Sequence, residues 1–257
     1  MPQPTRAVER ALDILLCFGS ETSTLTLTQI AERVGMHKST VHRLLATLEN
    51  KGFVQRLEEN GAYRLGFRLV ELGFAVLKSN DIHHQALPYM HRLVAEHRET
   101  VDLAILDGAN VVYLQVIESP QRVKLAAAPG QRLPTYCTAT GKAFLAFLPD
   151  EQVKSILRQG LRQYTSHTKV SLPDLYEDLR LTRERGFSIS EQEYEDGINA
   201  VAAPILDAHQ HPIAVIAIAG PSFRLPRQRL LELGESVKAT ADAIARDIGL
   251  ILQVPAE

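Results

Sequence analysis

The sequence has few of the features that mark secreted or membrane proteins. Only two cysteines, Cys17 and Cys137, occur in 257 residues, which excludes a disulfide framework and fits a reducing compartment. No run approaches the roughly 20 apolar residues of a membrane-spanning helix. Charged residues are spread through the first 18 positions and no cleavage site follows, which argues against a signal peptide. We therefore expect a cytoplasmic protein with no membrane partner.

The chain also lacks a large excess of charge of either sign, since its formal net charge is −2. Residues 1–79 hold 10 Lys and Arg against 8 Asp and Glu, whereas the other residues hold 18 against 22. A slightly basic N-terminal part on an acidic body is compatible with DNA binding by that part alone.

Motifs of common enzymes are missing. There is no Gly-x-Ser-x-Gly, no His-Glu-x-x-His and no phosphate-binding glycine loop, so we predict no catalytic residue, no metal and no cofactor. Cys137 could act as a nucleophile, but no His or Asp partner can be placed, and we favour a small buried residue that lines a pocket. His83, His84, His209 and His211 could bind a metal, although surface and turn positions are the commoner role.

The run 25–54, LTLTQIAERVGMHKSTVHRLLATLENKGFV, has the pattern of two short helices joined by a tight turn and followed by a strand. Thr26 and Gln29 have the spacing of a capping box, in which each side chain bonds the backbone N–H of the other residue. The first helix should end at Gly35, which tolerates the left-handed geometry of a helix end. This is the pattern of a helix-turn-helix, which presents its second helix to the major groove of DNA.

The predicted second helix has one narrow apolar stripe, formed by Val41, Leu44, Leu45 and Leu48. Its opposite face is small, hydroxylated and basic, and Arg43 there can pair bidentately with a guanine edge. An ordinary amphipathic surface helix is the alternative, because such patterning is common.

A β-hairpin is predicted directly after this helix, which is the position of a wing. Segments 53–57 and 62–65 flank the sequence EENG, in which Asn60-Gly61 predicts a type I′ turn with both residues at positive φ. The two glutamates at the tip disfavour phosphate, so we expect the wing to position the domain rather than insert deeply. The candidate DNA-binding residues are Thr26, Thr28, Lys38, Ser39, Thr40, His42, Arg43, Gln55, Arg56 and Arg64.

The rest of the chain predicts a linker helix and a second domain. Residues 67–77 are apolar nearly all round, so this helix should be buried between domains or subunits. We place the DNA-binding domain at 1–66, the linker helix at 67–79 and the second domain at 80–257. The second domain should be α+β, with helices packed on an antiparallel sheet. Its predicted strands are 101–106, 111–117, 122–125, 187–190, 201–206 and 213–219, and its later helices are 138–148, 150–158, 173–185 and 225–252.

Taken together, these segments resemble the IclR family of bacterial transcriptional regulators over nearly the whole chain. The N-terminal part contributes RAVERALDILLCF, the run 25–54 and YRLGFRLVELG. The C-terminal part contributes PGQRLPTYCTATGKAFLAFL, TRERGFSIS, EDGINAVAAPI and AIAIAGP. The resemblance implies a winged helix-turn-helix joined by a linker helix to a GAF-like α/β effector-binding domain. It also implies homodimers or dimers of dimers on palindromic double-stranded operator DNA, and a small organic acid as effector.

The resemblance also implies an effector pocket. Its expected lining is Leu125, Leu133, Ala139, Thr140, Gly141, Ser190, Glu191, Gly197, Ile198, Asn199, Ala200, Ala217 and Ala219. Independently, a helix that begins near Ala139 has free N–H groups that favour a carboxylate. Members that bind very small keto acids tend to have Ser or Cys where this chain has Ala200, Ala217 and Ala219. We therefore hypothesise a larger, partly apolar acid, with an aromatic acid as one candidate.

Some residues near this pocket allow two interpretations. Lys142 could hold a ligand carboxylate or point to solvent. The acidic run of Glu191, Glu193, Glu195 and Asp196 could gate the pocket or form a solvated loop.

We expect a ligand-responsive transcriptional regulator, a repressor of a catabolic operon, and not an enzyme. The alternatives are a small-molecule enzyme and a protein-interaction module, each with a winged-helix accessory domain. A steep salt dependence of duplex affinity would separate DNA binding from the interaction module.

Overall fold

The chain divides into two units, Met1–Ser79 and Asn80–Glu257. The computed structural model describes residues 5–19, 22–78 and 81–251. Among these residues, no helix is both long and apolar enough to cross a membrane.

The N-terminal unit contains helices packed beside a small hairpin. Its elements are α1 (Arg6–Leu16), α2 (Leu27–Arg33), α3 (Lys38–Asn50), β1 (Val54–Arg56), β2 (Tyr63–Leu65) and α4 (Arg68–Lys78). The predicted capping box of α2 is confirmed, because Thr26 Oγ1 accepts from the Gln29 N–H and Gln29 Oε1 accepts from the Thr26 N–H. Gly35 has a φ of +63°, which is the left-handed geometry expected there.

The apolar stripe of α3 faces the core of this unit. Val41 and Leu45 are buried together with Ile30 of α2, and Leu44 and Leu48 pack against the same cluster. The opposite face of α3 is therefore left toward solvent.

The hairpin is present, but the prediction of a type I′ turn was wrong. Gly61 has a φ of +65°, whereas Asn60 is not in the positive-φ region. The Leu57 N–H donates to the Ala62 carbonyl, so four residues form the loop instead of two. Asn60 acts instead through its side chain, whose Oδ1 accepts from the Ala62 N–H.

The C-terminal unit is a six-stranded sheet with helices on it. Its elements are α5 (Asp81–His97), β3 (Thr100–Asp107), β4 (Asn110–Ile117), β5 (Arg132–Pro134), α6 (Ala139–Phe147), α7 (Asp150–Leu157), α8 (Leu172–Arg185), β6 (Ser188–Glu191), β7 (Ile198–Leu206), β8 (Pro212–Pro221) and α9 (Arg227–Ile251). The strand order is β5-β4-β3-β8-β7-β6, and neighbouring strands are antiparallel. This architecture confirms the expected α+β fold class.

The sheet register decides which side chains meet which helices. Asp102 of β3 pairs with Ala217 of β8, and Ala200 of β7 pairs with Ala219. These residues lie on the face that α6 covers, as shown by Ala217, Ala139 and their neighbours in one buried cluster. Residues of opposite parity face α5 and α9, which pack against the other side of the sheet.

One predicted strand, 122–125, was wrong. This segment is irregular, and Val123 is exposed, so its alternating pattern does not reflect one buried face. The strand that pairs with β4 is β5, where Leu133 pairs with Val111.

Candidate functional site

The outward face of α3 is the candidate DNA-reading surface. Eight of the ten predicted DNA-binding residues are exposed, and the other two, Thr28 and Thr40, are partly buried. The exposed residues are Thr26, Lys38, Ser39, His42, Arg43, Gln55, Arg56 and Arg64. Arg43 lies near the middle of α3 on the side opposite Val41, where a base edge would be reached.

Local hydrogen bonds pre-position part of this surface. His37, which the sequence analysis missed, caps α3, because its Nδ1 accepts from the Ser39 N–H at 3.3 Å and lies 2.8 Å from Ser39 Oγ. On the hairpin, Arg64 donates from Nε and Nη2 to Gln55 Oε1 at 3.1 and 2.8 Å. The side chain of Thr26 is likewise held by its capping-box hydrogen bond with Gln29. These contacts hold the side chains in defined directions before any ligand binds.

A cavity in the C-terminal unit lies between the start of α6 and the sheet. The cavity has a volume of about 60 Å³. Its lining is Asp102, Tyr113, Leu125, Ala126, Ala127, Gln131, Leu133, Thr138, Ala139, Thr140, Ser190, Tyr194, Glu195, Ile198, Ala200 and Ala219.

Eight predicted pocket residues line this cavity and five do not. Those in the lining are Leu125, Leu133, Ala139, Thr140, Ser190, Ile198, Ala200 and Ala219. Gly141 instead packs on the backbone of Thr135, where an added Cβ would come within 2.2 Å. Ala217 is buried in the core under α6.

The other three predicted residues make contacts elsewhere. Asn199 donates from Nδ2 to the Leu225 carbonyl at 2.9 Å. Glu191 forms an ion pair with Arg227. The Gly197 N–H donates to Gln192 Oε1 at 2.8 Å.

The N-terminus of α6 provides two N–H groups for an anion. Thr138 is the N-cap, and its Oγ1 accepts from the Gly141 N–H at 3.1 Å. The N–H groups of Ala139 and Thr140 have no acceptor inside the helix, because the first turn of a helix lacks preceding carbonyls. Both residues line the cavity, so a carboxylate there would complete the helix end.

Asp102 is the functional candidate that the sequence analysis missed. Its side chain is fully buried, and Thr140 Oγ1 donates to Asp102 Oδ1 at 3.4 Å. Burial raises the pKa of Asp102 to about 7, and the Thr140 hydroxyl lowers it only in part. The available signal was an acidic residue at an inward position of the strand VDLAIL, between apolar neighbours.

Both interpretations of Lys142 were wrong. Lys142 is fully buried, and its Nζ lies 2.5 Å from both Asp178 Oδ2 and Glu193 Oε1. It also donates to the Ile189 carbonyl at 2.6 Å. The lysine thus ties α6 to α8 and β6 and neither lines the cavity nor faces solvent.

The acidic run has mixed roles. Glu193 is buried in the ion pair with Lys142, whereas Glu195 is exposed and lines the cavity. Asp196 is exposed in the loop.

Cys137 is buried, as expected, but it lies in a core cluster with Leu145 and Leu175 and not in the cavity lining. Burial raises its pKa to about 12, which keeps the thiol protonated and unsuited to nucleophilic attack. In the part of the chain that the structure describes, no three His, Cys, Asp or Glu side chains are grouped to hold a metal ion.

Two models of one protein family match this chain. The family model described as "Bacterial transcriptional regulator IclR C-terminal" matches residues 74–246, and "IclR helix-turn-helix domain" matches residues 7–58. The acetate operon repressor of Salmonella typhimurium is 34% identical over 247 residues, covering 95% of this chain and 90% of that protein.

Solved structures show the same fold. IclR of Thermotoga maritima has a TM-score of 0.77 at 30% identity, covering 94% of this chain and 98% of that one. An IclR homologue of Microbacterium hydrocarbonoxydans, solved in complex with 4-hydroxybenzoate, has a TM-score of 0.83 at 23% identity, covering 94% and 99%. The characterised relatives are transcriptional regulators and not enzymes. The chain therefore belongs to the IclR family of bacterial transcriptional regulators.

Proposed function

We propose that this regulator represses a catabolic operon by binding a palindromic operator, and that a small organic acid in the α6 cavity changes its operator affinity. The observation that carries the DNA-binding part is the solvent-facing side of α3, which presents Ser39, His42 and Arg43 beside a hairpin. The first experiment is selection from a pool of genomic fragments, followed by a salt titration. A palindromic consensus with a steep salt slope supports the proposal, and flat, weak binding contradicts it.

Arg43→Ala is expected to weaken binding to the selected operator by about 1–3 kcal/mol, because a guanidinium can make two hydrogen bonds to one guanine. Fluorescence anisotropy on the operator and on scrambled duplexes measures the change. Arg6→Ala, an exposed residue of α1, is the control for loss of one positive charge. An equal loss on operator and scrambled DNA would show that Arg43 contacts phosphate instead of a base.

We propose that the chain acts as a homodimer, or as a dimer of dimers, since a palindrome presents two equivalent half-sites. The N-terminal unit supports this with apolar side chains left in solvent: Leu16 of α1 is 81% exposed and Phe67 before α4 is 75% exposed. Residues 67–79 would serve as the linker helix, and such a regulator works in the cytoplasm. Light scattering on the full chain, with and without operator, distinguishes dimer from tetramer.

The cavity supports an effector with a carboxylate and an apolar body. The carboxylate would accept from the N–H groups of Ala139 and Thr140, while Ala200 and Ala219 leave apolar space beside them. The Microbacterium homologue shows that this fold can hold an aromatic acid. Glyoxylate or pyruvate shifting operator affinity strongly, with aromatic acids inert, would contradict an apolar body.

Ala219→Leu is expected to abolish the effector response and to spare operator binding, because the larger leucine side chain fills part of the cavity that Ala219 lines. Operator affinity is measured with and without a panel of aromatic acids. Ala208→Leu, in the exposed turn before β8, is the matched control. Loss of operator binding as well would indicate a broken sheet core, and an unchanged response would place the effector outside this cavity.

A further inference from the structure

The cavity that would hold an organic acid is itself acidic. Its two acidic lining residues are Asp102 and Glu195, and neither Lys nor Arg is among the described residues that line it. Glu195 is exposed, whereas Asp102 lies at the buried end beside Thr140. Hydroxyl groups of Tyr113, Thr138 and Ser190 supply the other buried polar character. Charge alone would therefore not attract an acid to this cavity, and a specific hydrogen-bond pattern must select it.

Asp102 has an unfilled position for a hydrogen-bond donor. Only one of its oxygens is engaged, since Oδ1 receives the Thr140 hydroxyl at 3.4 Å. Oδ2 is buried and has no partner among the residues that the structure describes. A buried carboxyl oxygen without a partner is costly, and such groups in native proteins call for an explanation. A donor on the effector provides one.

Asp102 Oδ2 lies close to the free N–H groups at the start of α6, where the carboxylate is expected to bind. Thr140 belongs to both, because its N–H is one of the two free groups at the start of α6 and its hydroxyl reaches Asp102. A carboxylate bound at that N–H is therefore within about one residue's length of the Asp102 carboxyl. Two ionised carboxyl groups so close repel each other, so above the raised pKa of Asp102 a donor has to lie between them.

We propose that the effector is a 2-hydroxy acid or a 2-amino acid, whose carboxylate binds the start of α6 and whose adjacent hydroxyl or ammonium donates to Asp102 Oδ2. This inference rests on the proposed function, since it takes the α6 cavity as the effector site. The Thr140 hydroxyl reaches Asp102 Oδ1 at 3.4 Å, and a donor on the carbon next to the carboxylate fits this short spacing. A donor far from the carboxylate, such as a phenol across an aromatic ring, would lie farther from Asp102 when the carboxylate is bound at Thr140.

The test compares acids that differ only at carbon 2. Phenylacetate, mandelate and 2-phenylglycine form one matched set, and propionate, lactate and alanine form a smaller set. Isothermal titration of the full-length protein should show at least one donor-bearing member that binds roughly 10- to 100-fold tighter than its unsubstituted partner, as expected for a hydrogen bond to a carboxylate. Equal affinities within both sets, or binding of none of these acids at millimolar concentration, would overturn the proposal.

Two variants at position 102 sharpen the result. Asp102→Ala removes the acceptor and should abolish the preference for the donor-bearing acid. Asp102→Asn keeps the shape and a neutral acceptor, so a hydroxy acid should retain part of its preference while an amino acid should lose most of it. Retention of the full preference in the Asn and Ala variants would show that another group receives the donor.

Failure of this inference can be told apart from failure of the proposed function. If an acid without a donor binds and shifts operator affinity, and Ala219→Leu removes that shift, the effector cavity stands and only the donor requirement is wrong. If no ligand effect depends on Ala219, the cavity itself is not the effector site.

Discussion

Replacing Lys142 with Met is expected to lower the free energy of unfolding of the C-terminal unit by about 3–5 kcal/mol. The ammonium of Lys142 is fully buried between two carboxylates, Asp178 and Glu193, at 2.5 Å from each. Methionine keeps the length of the side chain but removes the charge, which leaves the buried Glu193 and the partly buried Asp178 with too little compensating positive charge. Because proteins are stable by only about 5–15 kcal/mol, the loss should be evident in a single unfolding curve.

The pKa of Asp178 supports the direction of this effect. Burial alone would raise that pKa, but the ammonium groups of Lys142 and Lys169 together hold it below its ordinary value. Lys169 lies 2.9 Å from Glu193 Oε1 and 3.1 Å from Asp178 Oδ2, yet its side chain is 32% exposed. Without Lys142, the partly hydrated Lys169 is the described cation that lies nearest to Asp178 and Glu193.

Urea unfolding followed by circular dichroism measures the change, since the chain has no tryptophan to report by fluorescence. Each of the two units is compact by itself, so the unfolding transition of each unit is analysed individually. Lys169→Met is the matched control and should cost clearly less, because water can solvate that edge of the cluster. Equal losses from the two substitutions would contradict the central role of Lys142.

The environment of Lys142 could not be predicted from the sequence. Its partners Asp178, Ile189 and Glu193 are 36 to 51 residues away along the chain. Only the packing of α6 between α8 and β6 brings them together. A lysine three residues after a helix start looks equally suited to a ligand or to solvent until that packing is known.

The N-terminal unit was more predictable, because the sequence patterns that define it are local. The capping box of α2, the glycine after it and the apolar stripe of α3 each lie within a few residues, and the structure confirms each of them. The hairpin was also found, but its turn type was not, since Asn60 bonds Ala62 through its side chain instead of adopting positive φ. Turn type depends on strand register, which a dipeptide does not determine.

The residues of the cavity could be predicted from the sequence only in part. Residues from α6 and from strands β5, β6, β7 and β8 were identified through family resemblance, but Asp102 was not, because an isolated acid within an apolar strand carries no motif. Its meaning depends on burial and on the neighbouring helix end, and both are properties of the folded chain.

Asp102→Asn is expected to raise the free energy of unfolding of the ligand-free protein at pH 8 by at most about 4 kcal/mol, because burial raises the pKa of Asp102 from 3.8 to about 7. Between these two values the folded protein holds a proton that the unfolded chain releases. The stability of the unsubstituted protein therefore falls as pH rises through this window, by about 1.4 kcal/mol per pH unit, and the full penalty is present above pH 7. Asparagine does not titrate, so the variant lacks this penalty.

Urea unfolding at pH 5 and pH 8 should show that the variant's advantage grows with pH. Asp242→Asn, at an exposed position of α9, is the control and should shift neither curve appreciably. A variant less stable than the unsubstituted protein at pH 8 would mean that the folded state stabilises the Asp102 carboxylate. The expected gain in stability also bears on function. Asp102 lowers the stability of the ligand-free protein above pH 7, and its Oδ2 has no partner among the residues that the structure describes. A ligand that donates a hydrogen bond to this oxygen explains why an acid lines the cavity.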